Sequence, residues 1–263
     1  MVISWNTGAA AERFRHNLKL KKKNKKKNKS SSSQAGGPAH KESGCKPSSL
    51  TSSQAEDILG HMNLKEAKAI TGGLSTPSKM PGYAYNLPAT ACITGAKLVK
   101  IPGSVCAGCY ALKGRYRFPN VQEALNRRLK SLTDPKWIEA MSVLVAHYSL
   151  KVPFFRWHDS GDLQSVQHLI NIFEVCKLTP QVEHWIPTRE AKFLPLNTDS
   201  IPKNLIIRLS GHKIDKPAAS FWPWTSTVVT EMKSCPAKEQ GNQCQDCRAC
   251  WDRGTANIAY GLH

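Results

Sequence analysis

Seven of the nine cysteines fall into two groups, and their spacing limits what this chain can become. Cys92, Cys106 and Cys109 form C-x13-C-x2-C, with Gly103 and Gly108 giving the backbone freedom to wrap a ligand. Cys235, Cys244, Cys247 and Cys250 form C-x8-C-x2-C-x2-C, four thiols within 16 residues. The opening, Met1-Val2-Ile3-Ser4-Trp5-Asn6, lacks the basic and apolar regions of a secretory signal. Reduced thiols in a cytoplasmic protein are therefore expected, serving as ligands rather than as a disulfide framework. Four thiolates can close a metal site alone, whereas three leave one position open; structural zinc would want four. The closely repeated x2 gaps and the Cys235-Pro236 pair follow iron–sulfur ligation patterns, which favours a 4Fe-4S cluster there over zinc. Cys176 lies on an apolar helical stripe and reads as core packing, and Cys45 has no ligand-like neighbour.

Charge divides the chain. The net charge is +18, and residues 1–50 hold 12 basic against 2 acidic residues. Eight lysines crowd Lys19–Lys29, followed by four serines and a Gly/Pro/Ser/Lys stretch to about Ser53. Such a segment buries too little apolar surface to offset its ordering entropy, so disorder is expected over residues 1–71. The lysine run reads as a holder of nucleic acid, anionic lipid or another polyanion, as a nuclear localisation signal in a eukaryotic host, or as a solvated tail or an extension from a wrongly assigned start. No apolar run reaches 18 residues, so no membrane partner is expected.

Order is expected from about Leu74, as an α/β domain over residues 72–234 and a four-cysteine segment over 235–263. Trp137, Met141, Leu144, Val145 and Tyr148 form one helical stripe. Helices are also expected over Val121–Leu132 and Gln164–Lys177. Strands are expected over Val152–His158, Val182–Ile186, Leu205–Leu209 and Thr227–Thr230. Strand, polar turn, helix, strand is the pattern of a parallel sheet, either a partial (β/α) barrel or an open sheet. In such folds reactive groups gather after the carboxyl ends of strands. His158, Asp159 and Asp162, then Thr188, Arg189 and Glu190, then Ser210 and His212 sit at those ends, which makes His158, Asp159, Asp162 and Glu190 the candidate catalytic residues.

Several runs carry a resemblance. Leu87-Pro88-Ala89-Thr90-Ala91-Cys92, Pro102-Gly103-Ser104-Val105-Cys106-Ala107-Gly108-Cys109-Tyr110-Ala111, Arg156-Trp157-His158-Asp159-Ser160-Gly161-Asp162, Trp185-Ile186-Pro187-Thr188-Arg189-Glu190 and Cys244-Gln245-Asp246-Cys247-Arg248-Ala249-Cys250-Trp251 resemble the phage gene product 88 family. The resemblance covers roughly residues 72–263 and implies phage origin and a host-cytoplasm location more firmly than any reaction. The arrangement is also similar to radical S-adenosylmethionine proteins. That likeness implies a 4Fe-4S cluster on Cys92, Cys106 and Cys109, with S-adenosylmethionine chelating the open iron and an electron donor to reduce it. Ser160 and Gly161, with Asp162, would receive the cofactor's amino group, and Arg189 would pair with its carboxylate, a task suited to a guanidinium fork. Cys235, Cys244, Cys247 and Cys250 would form an auxiliary site. The spacing departs from the C-x3-C-x2-C of those enzymes: the first gap is thirteen, and Tyr110 follows the last cysteine.

Two other readings stand beside this one. All seven cysteines could hold zinc or inert clusters in a nucleic-acid-binding protein, with Trp222, Trp224 and Trp251 as exposed stacking platforms. A hydrolase could use His158 with Asp159 or Asp162 as an acid–base pair, although no G-x-S-x-G nucleophile motif is present.

Overall fold

A computed structural model describes residues 62–262. The lysine run and Cys45 lie outside the described residues. Order begins upstream of the expected Leu74, with helix α1 (Leu64–Thr71). The Asn63 side chain accepts from Glu66 N at 2.9 Å, and Gly72 ends the helix at φ 77°. These are short-range signals that the Lys/Ser-rich composition upstream hides. Ala67 of α1 and the preceding Met62 pack on Ala140, Val143 and Leu144.

Six strands form one parallel sheet: β1 (Tyr83–Tyr85), β2 (Phe154–Trp157), β3 (Glu183–Thr188), β4 (Leu205–Ser210), β5 (Thr225–Val229) and β6 (Asn257–Gly261). Their spatial order is their chain order, every pairing is parallel, and the sheet is open with β1 and β6 as its edges. The α/β class is as expected, and of the two architectures left open it is the open parallel sheet, not the partial barrel, because β1 and β6 remain unpaired edges. Two strands were not visible in the sequence. Tyr83-Ala84-Tyr85 is too short to show alternation, and Asn257–Gly261 hides in a segment dominated by cysteines. That last segment is therefore not an appendage, since it supplies the sixth strand.

Helices α2 (Ile93–Leu98), α3 (Pro119–Ser131) and α4 (Trp137–Tyr148) join β1 to β2, and α5 (Val166–Leu178) joins β2 to β3. Pro119 opens α3, and Ser165 caps α5 by accepting from His168 N at 3.0 Å. The links from β3 to β4, β4 to β5 and β5 to β6 contain no α-helix. No helix among the described residues is long and apolar enough to cross a membrane.

On the helix-covered face, Phe155 and Trp157 of β2 meet Trp137 and His184, with Trp157 and His184 stacked 6.0 Å apart. Trp137 Nε1 donates to the Tyr85 hydroxyl at 3.2 Å, which itself lies 2.9 and 3.0 Å from the Thr71 and Arg128 carbonyls. His184 is fixed between two partners. Trp157 Nε1 donates to Nδ1 at 3.3 Å, so Nε2 carries the proton and donates to Thr179 Oγ1 at 2.9 Å. The threonine hydroxyl passes its own proton to Val175 O at 2.8 Å.

Burial pushes the imidazoles of His168 and His184 down to about 3. Both folded values lie below that of the unfolded chain, so the unfolded state takes up protons first as pH falls. Their contribution is fully present above about pH 6.5 and is lost as pH drops from there toward 3. Urea unfolding of the full chain should therefore lose about 1.4 kcal/mol of stability per pH unit per histidine below pH 6. His184→Asn should remove one histidine's share of that slope, about 1.4 kcal/mol per pH unit; an unchanged slope would mean that His184 is not held neutral.

Candidate metal centre

The residues Cys92–Phe118 form a loop over the carboxyl ends of the strands, tied down at four places. Leu87 N, just ahead of the loop, donates to Ser160 O at 3.0 Å, beyond β2. Val105 N donates to His212 O at 2.9 Å and Ile214 N to Gly103 O at 3.1 Å, beyond β4. Past β3, the Glu190 carboxylate accepts from Thr94 N at 2.6 Å and from Thr94 Oγ1 at 2.8 Å. The Tyr116 hydroxyl donates to Asp159 Oδ2 at 2.7 Å, and the Tyr110 hydroxyl donates to the Asp159 carbonyl.

This loop brings Cys92 and Cys106 together, with Cys109 near enough to act electrostatically on both. Gly95 shows how closely: a Cβ built there would lie 2.9 Å from Cys92 Cβ, 3.7 Å from Cys92 Sγ and 3.8 Å from Cys106 Sγ. The two thiols thus converge on bare backbone. Burial pushes the Cys92 thiol up to about 12, helped by Asp162, Cys109, Cys106 and Glu190. Burial also raises Cys106, against the opposing pull of the Arg189 guanidinium. Such thiols give up their protons when a cation replaces them. Among the described residues, no three His, Cys, Asp or Glu side chains already stand in ligating array.

The polar residues at the strand ends organise the chain itself. Asp162 Oδ1 accepts from Leu163 N at 2.7 Å and Thr188 Oγ1 at 2.6 Å, and Oδ2 accepts from Arg189 N at 2.9 Å. Burial lifts its carboxyl to about 6, although these bonds pull the other way. Ser160 Oγ donates to Leu87 O at 2.9 Å. Gly161 has φ 78°, and a Cβ there would fall 2.5 Å from Leu87 Cβ, so only glycine allows that approach. His158 is buried at φ 59° with its ring 5.2 Å from His168, and neither ring nitrogen has a hydrogen-bond partner among the described residues. Burial, His168 and Arg156 together hold its imidazole well below the usual range. Arg189 Nε is likewise buried without a partner among the described residues, and its charge acts on Cys106.

The second group is held from the sheet. Cys235 N donates to Ala259 O of β6 at 3.1 Å, and Cys244 N to Lys79 O at 2.7 Å. Cys250 Sγ lies 3.1 Å from the Tyr260 hydroxyl, and burial pushes its thiol up to about 11. Arg208 of β4, fully buried, spends its guanidinium on this segment. Nε reaches Cys250 O at 3.0 Å, Nη1 reaches Thr255 O at 2.8 Å and Thr225 O at 3.4 Å, and Nη2 reaches Ala249 O and Asp252 O, each at 2.8 Å.

Arg156 stands between the two groups. It pairs with Asp159 at 2.9 Å, lies 4.5 Å from the Trp185 ring centroid and approaches Met80 Sδ at 3.7 Å. Asp159 leads to Tyr110 beside Cys109, Met80 follows Lys79 at Cys244, and Trp185 meets Trp251 beside Cys250 at 5.3 Å.

The gene product 88 family model matches residues 17–232. The chain belongs to that family. The matched stretch takes in the three-cysteine loop and all the strand-end residues, but stops short of Cys235, so the resemblance read on Cys244–Trp251 falls outside it. No curated protein and no solved structure matches the chain.

One expectation is corrected. Trp222, Trp224 and Trp251 are 5%, 9% and 7% exposed, so they are core and not stacking platforms. Trp222 Nε1 donates to Ile207 O at 2.7 Å and Trp251 Nε1 to Phe155 O at 3.1 Å, which explains how indoles fill a sheet face lacking helices. Sequence reading also passed over Thr94, Gly95, Arg156 and Arg208. A lone arginine inside Leu-Ile-Ile-Arg-Leu-Ser was the available signal, since a charge within a buried strand requires a fixed set of partners.

Arg208→Lys should destabilise the chain by roughly 3 kcal/mol in urea unfolding, because three ammonium protons cannot serve five carbonyls. The same variant should expose Cys250 to thiol reagent faster than the parent. Equal stability and equal thiol kinetics would show that the fork is dispensable.

Proposed function

We propose that the chain is an iron–sulfur protein of the radical S-adenosylmethionine type, with a 4Fe-4S cluster on Cys92, Cys106 and Cys109. The observation that carries this reading is topological. Three cysteines follow the first strand of a sequentially ordered parallel sheet, in a loop bonded to the ends of the next three strands. Reacting groups in parallel α/β folds collect at that end. Convergence of two thiols on Gly95 and the unspent Arg189 Nε beside Cys106 suit an anionic thiolate centre with a carboxylate-bearing ligand.

When bound, a three-thiolate cluster supplies the open iron and the single electron for reductive cleavage of S-adenosylmethionine, the electron coming from an external donor. The chain's own residues do the rest. Arg189 would receive the ligand's carboxylate through Nε. Glu190 fixes the start of α2 behind Cys92, and Asp162 locks the β2 and β3 turns, so neither carboxylate is free to take a proton from substrate. Asp159 anchors the Tyr110–Tyr116 stretch next to Cys109. Cys235, Cys244, Cys247 and Cys250 would hold a second cluster or zinc, and Arg208 sets the backbone they ride on.

Anaerobic purification, followed by iron, sulfide and zinc analysis and electron-spin spectra, tests the reading. About eight irons and eight sulfides per chain, with a reduced spectrum perturbed by S-adenosylmethionine, is the expected result. Cys109→Ala should abolish the perturbed signal and leave metal at the C-terminal group. Stoichiometric zinc without iron would overturn the proposal, and loss of both signals in folded Cys109→Ala would merge the two sites into one.

A further inference from the structure

The three-cysteine loop is strongly basic. Between Cys92 and Phe118 it carries Lys97, Lys100, Lys113, Arg115 and Arg117 and no Asp or Glu, and all five basic residues are exposed. None of them forms an ion pair within the described residues. Across the 104–213 bridge, Lys213 and Lys216 extend the same rim and line a cleft of about 360 Å3 beside Ala191 and Phe221. Neither has an acidic partner among the described residues.

Aromatic rings stand among these charges. Phe118 is 54% and Phe221 67% exposed, and Tyr110 is 46% exposed as a residue while its hydroxyl end is buried and tethered to Asp159. Exposing large apolar rings costs free energy that a partner can recover. Leu196 and Met232 are as exposed elsewhere, but among the described residues the large aromatic residues exposed to this degree are Tyr110, Phe118 and Phe221. Cations alternating with exposed rings match one partner chemistry well. Phosphates neutralise the lysines and arginines, and unpaired bases stack on the rings. A duplex would offer phosphates but keep its bases stacked away from Phe118 and Phe221.

We infer that this rim binds single-stranded nucleic acid and delivers a nucleotide to the cleft beside the cysteine loop. As a substrate assignment the inference rests on the iron–sulfur reading; as a binding surface it stands on charge and exposure alone.

The test uses the full chain in a background where the eight lysines of Lys19–Lys29 are glutamine, which removes their contribution. Fluorescence anisotropy is read with labelled single-stranded DNA, single-stranded RNA and duplex DNA of about 12 nucleotides, over a salt series. At least one single strand should bind more tightly than the duplex; the DNA and RNA arms identify which. Arg115→Ala/Arg117→Ala should weaken binding and flatten the log Kd against log salt slope by about 1.4. Arg115→Lys/Arg117→Lys should restore both. Phe118→Ala and Phe221→Ala should each weaken binding about tenfold with the slope unchanged. These side chains are exposed, and unchanged thermal unfolding confirms that the variants remain folded. Loss of all binding in the glutamine background, equal affinity for duplex, or rim variants that bind like their parent would each overturn the inference. Metal content is measured on the same samples. A chain that binds strand but holds no iron defeats only the cluster reading, and a loaded chain indifferent to nucleic acid defeats only this one.

Discussion

Buried charge must be matched by fixed partners, and that requirement ties both cysteine segments to the sheet. Neither segment has a hydrophobic core of its own, so apolar packing alone would leave each free to slide. Glu190, fully buried, takes both of its side-chain hydrogen bonds from Thr94 of the first loop, with Lys192 Nζ 3.9 Å from the same carboxylate. Arg208 finds most of its acceptors only on the second segment. Leaving either group alone would cost several kcal/mol, far more than a typical surface contact contributes. The sheet therefore dictates where the thiols stand through the ionised side chains it carries inward.

Much of the frame was legible from periodicity. The Trp137–Tyr148 stripe, the turn formers after Trp157 and the apolar run of β4 all mark real elements. What escaped was either short or irregular. Three residues of β1 carry no period, and β6 has one fully buried side chain, so neither announces itself. Strand-end residues could be grouped from the sequence because polar side chains follow the carboxyl end of each strand in turn. Their individual tasks were not legible. Asp159, Asp162 and Glu190 bind hydroxyls and backbone amides from distant parts of the chain, and those pairings span separations no local rule can see. The tryptophans misled for a related reason. Residue type gives the size of an apolar surface, but the helix-free connections decide that it turns inward.

Two faces of the same loop now have distinct characters. Its inner side gathers thiols, a carboxylate-bound turn and the unspent guanidinium nitrogen of Arg189. Its outer side carries positive charge without acidic residues, together with exposed rings and the aliphatic Ile101 and Leu112. A cluster anchored inside and a polyanion held outside would meet across a single layer of backbone, with Tyr110 reaching from one to the other. Selection of substrate and chemistry on it would then share one tethered loop rather than two separate domains.

The absence of helices after β3 has a kinetic consequence. From β2 onward, strands that pair in chain order close short loops and form early, but Cys244 meets Lys79 across 165 residues and Trp251 meets Phe155 across 96. Those long-range closures are slow because their loop entropy is spent before any contact repays it. During synthesis the β1–β5 sheet would stand with Arg208 exposed to water and β5 as a raw edge until the last strand emerges. Until then the nascent sheet presents a template for pairing with other chains.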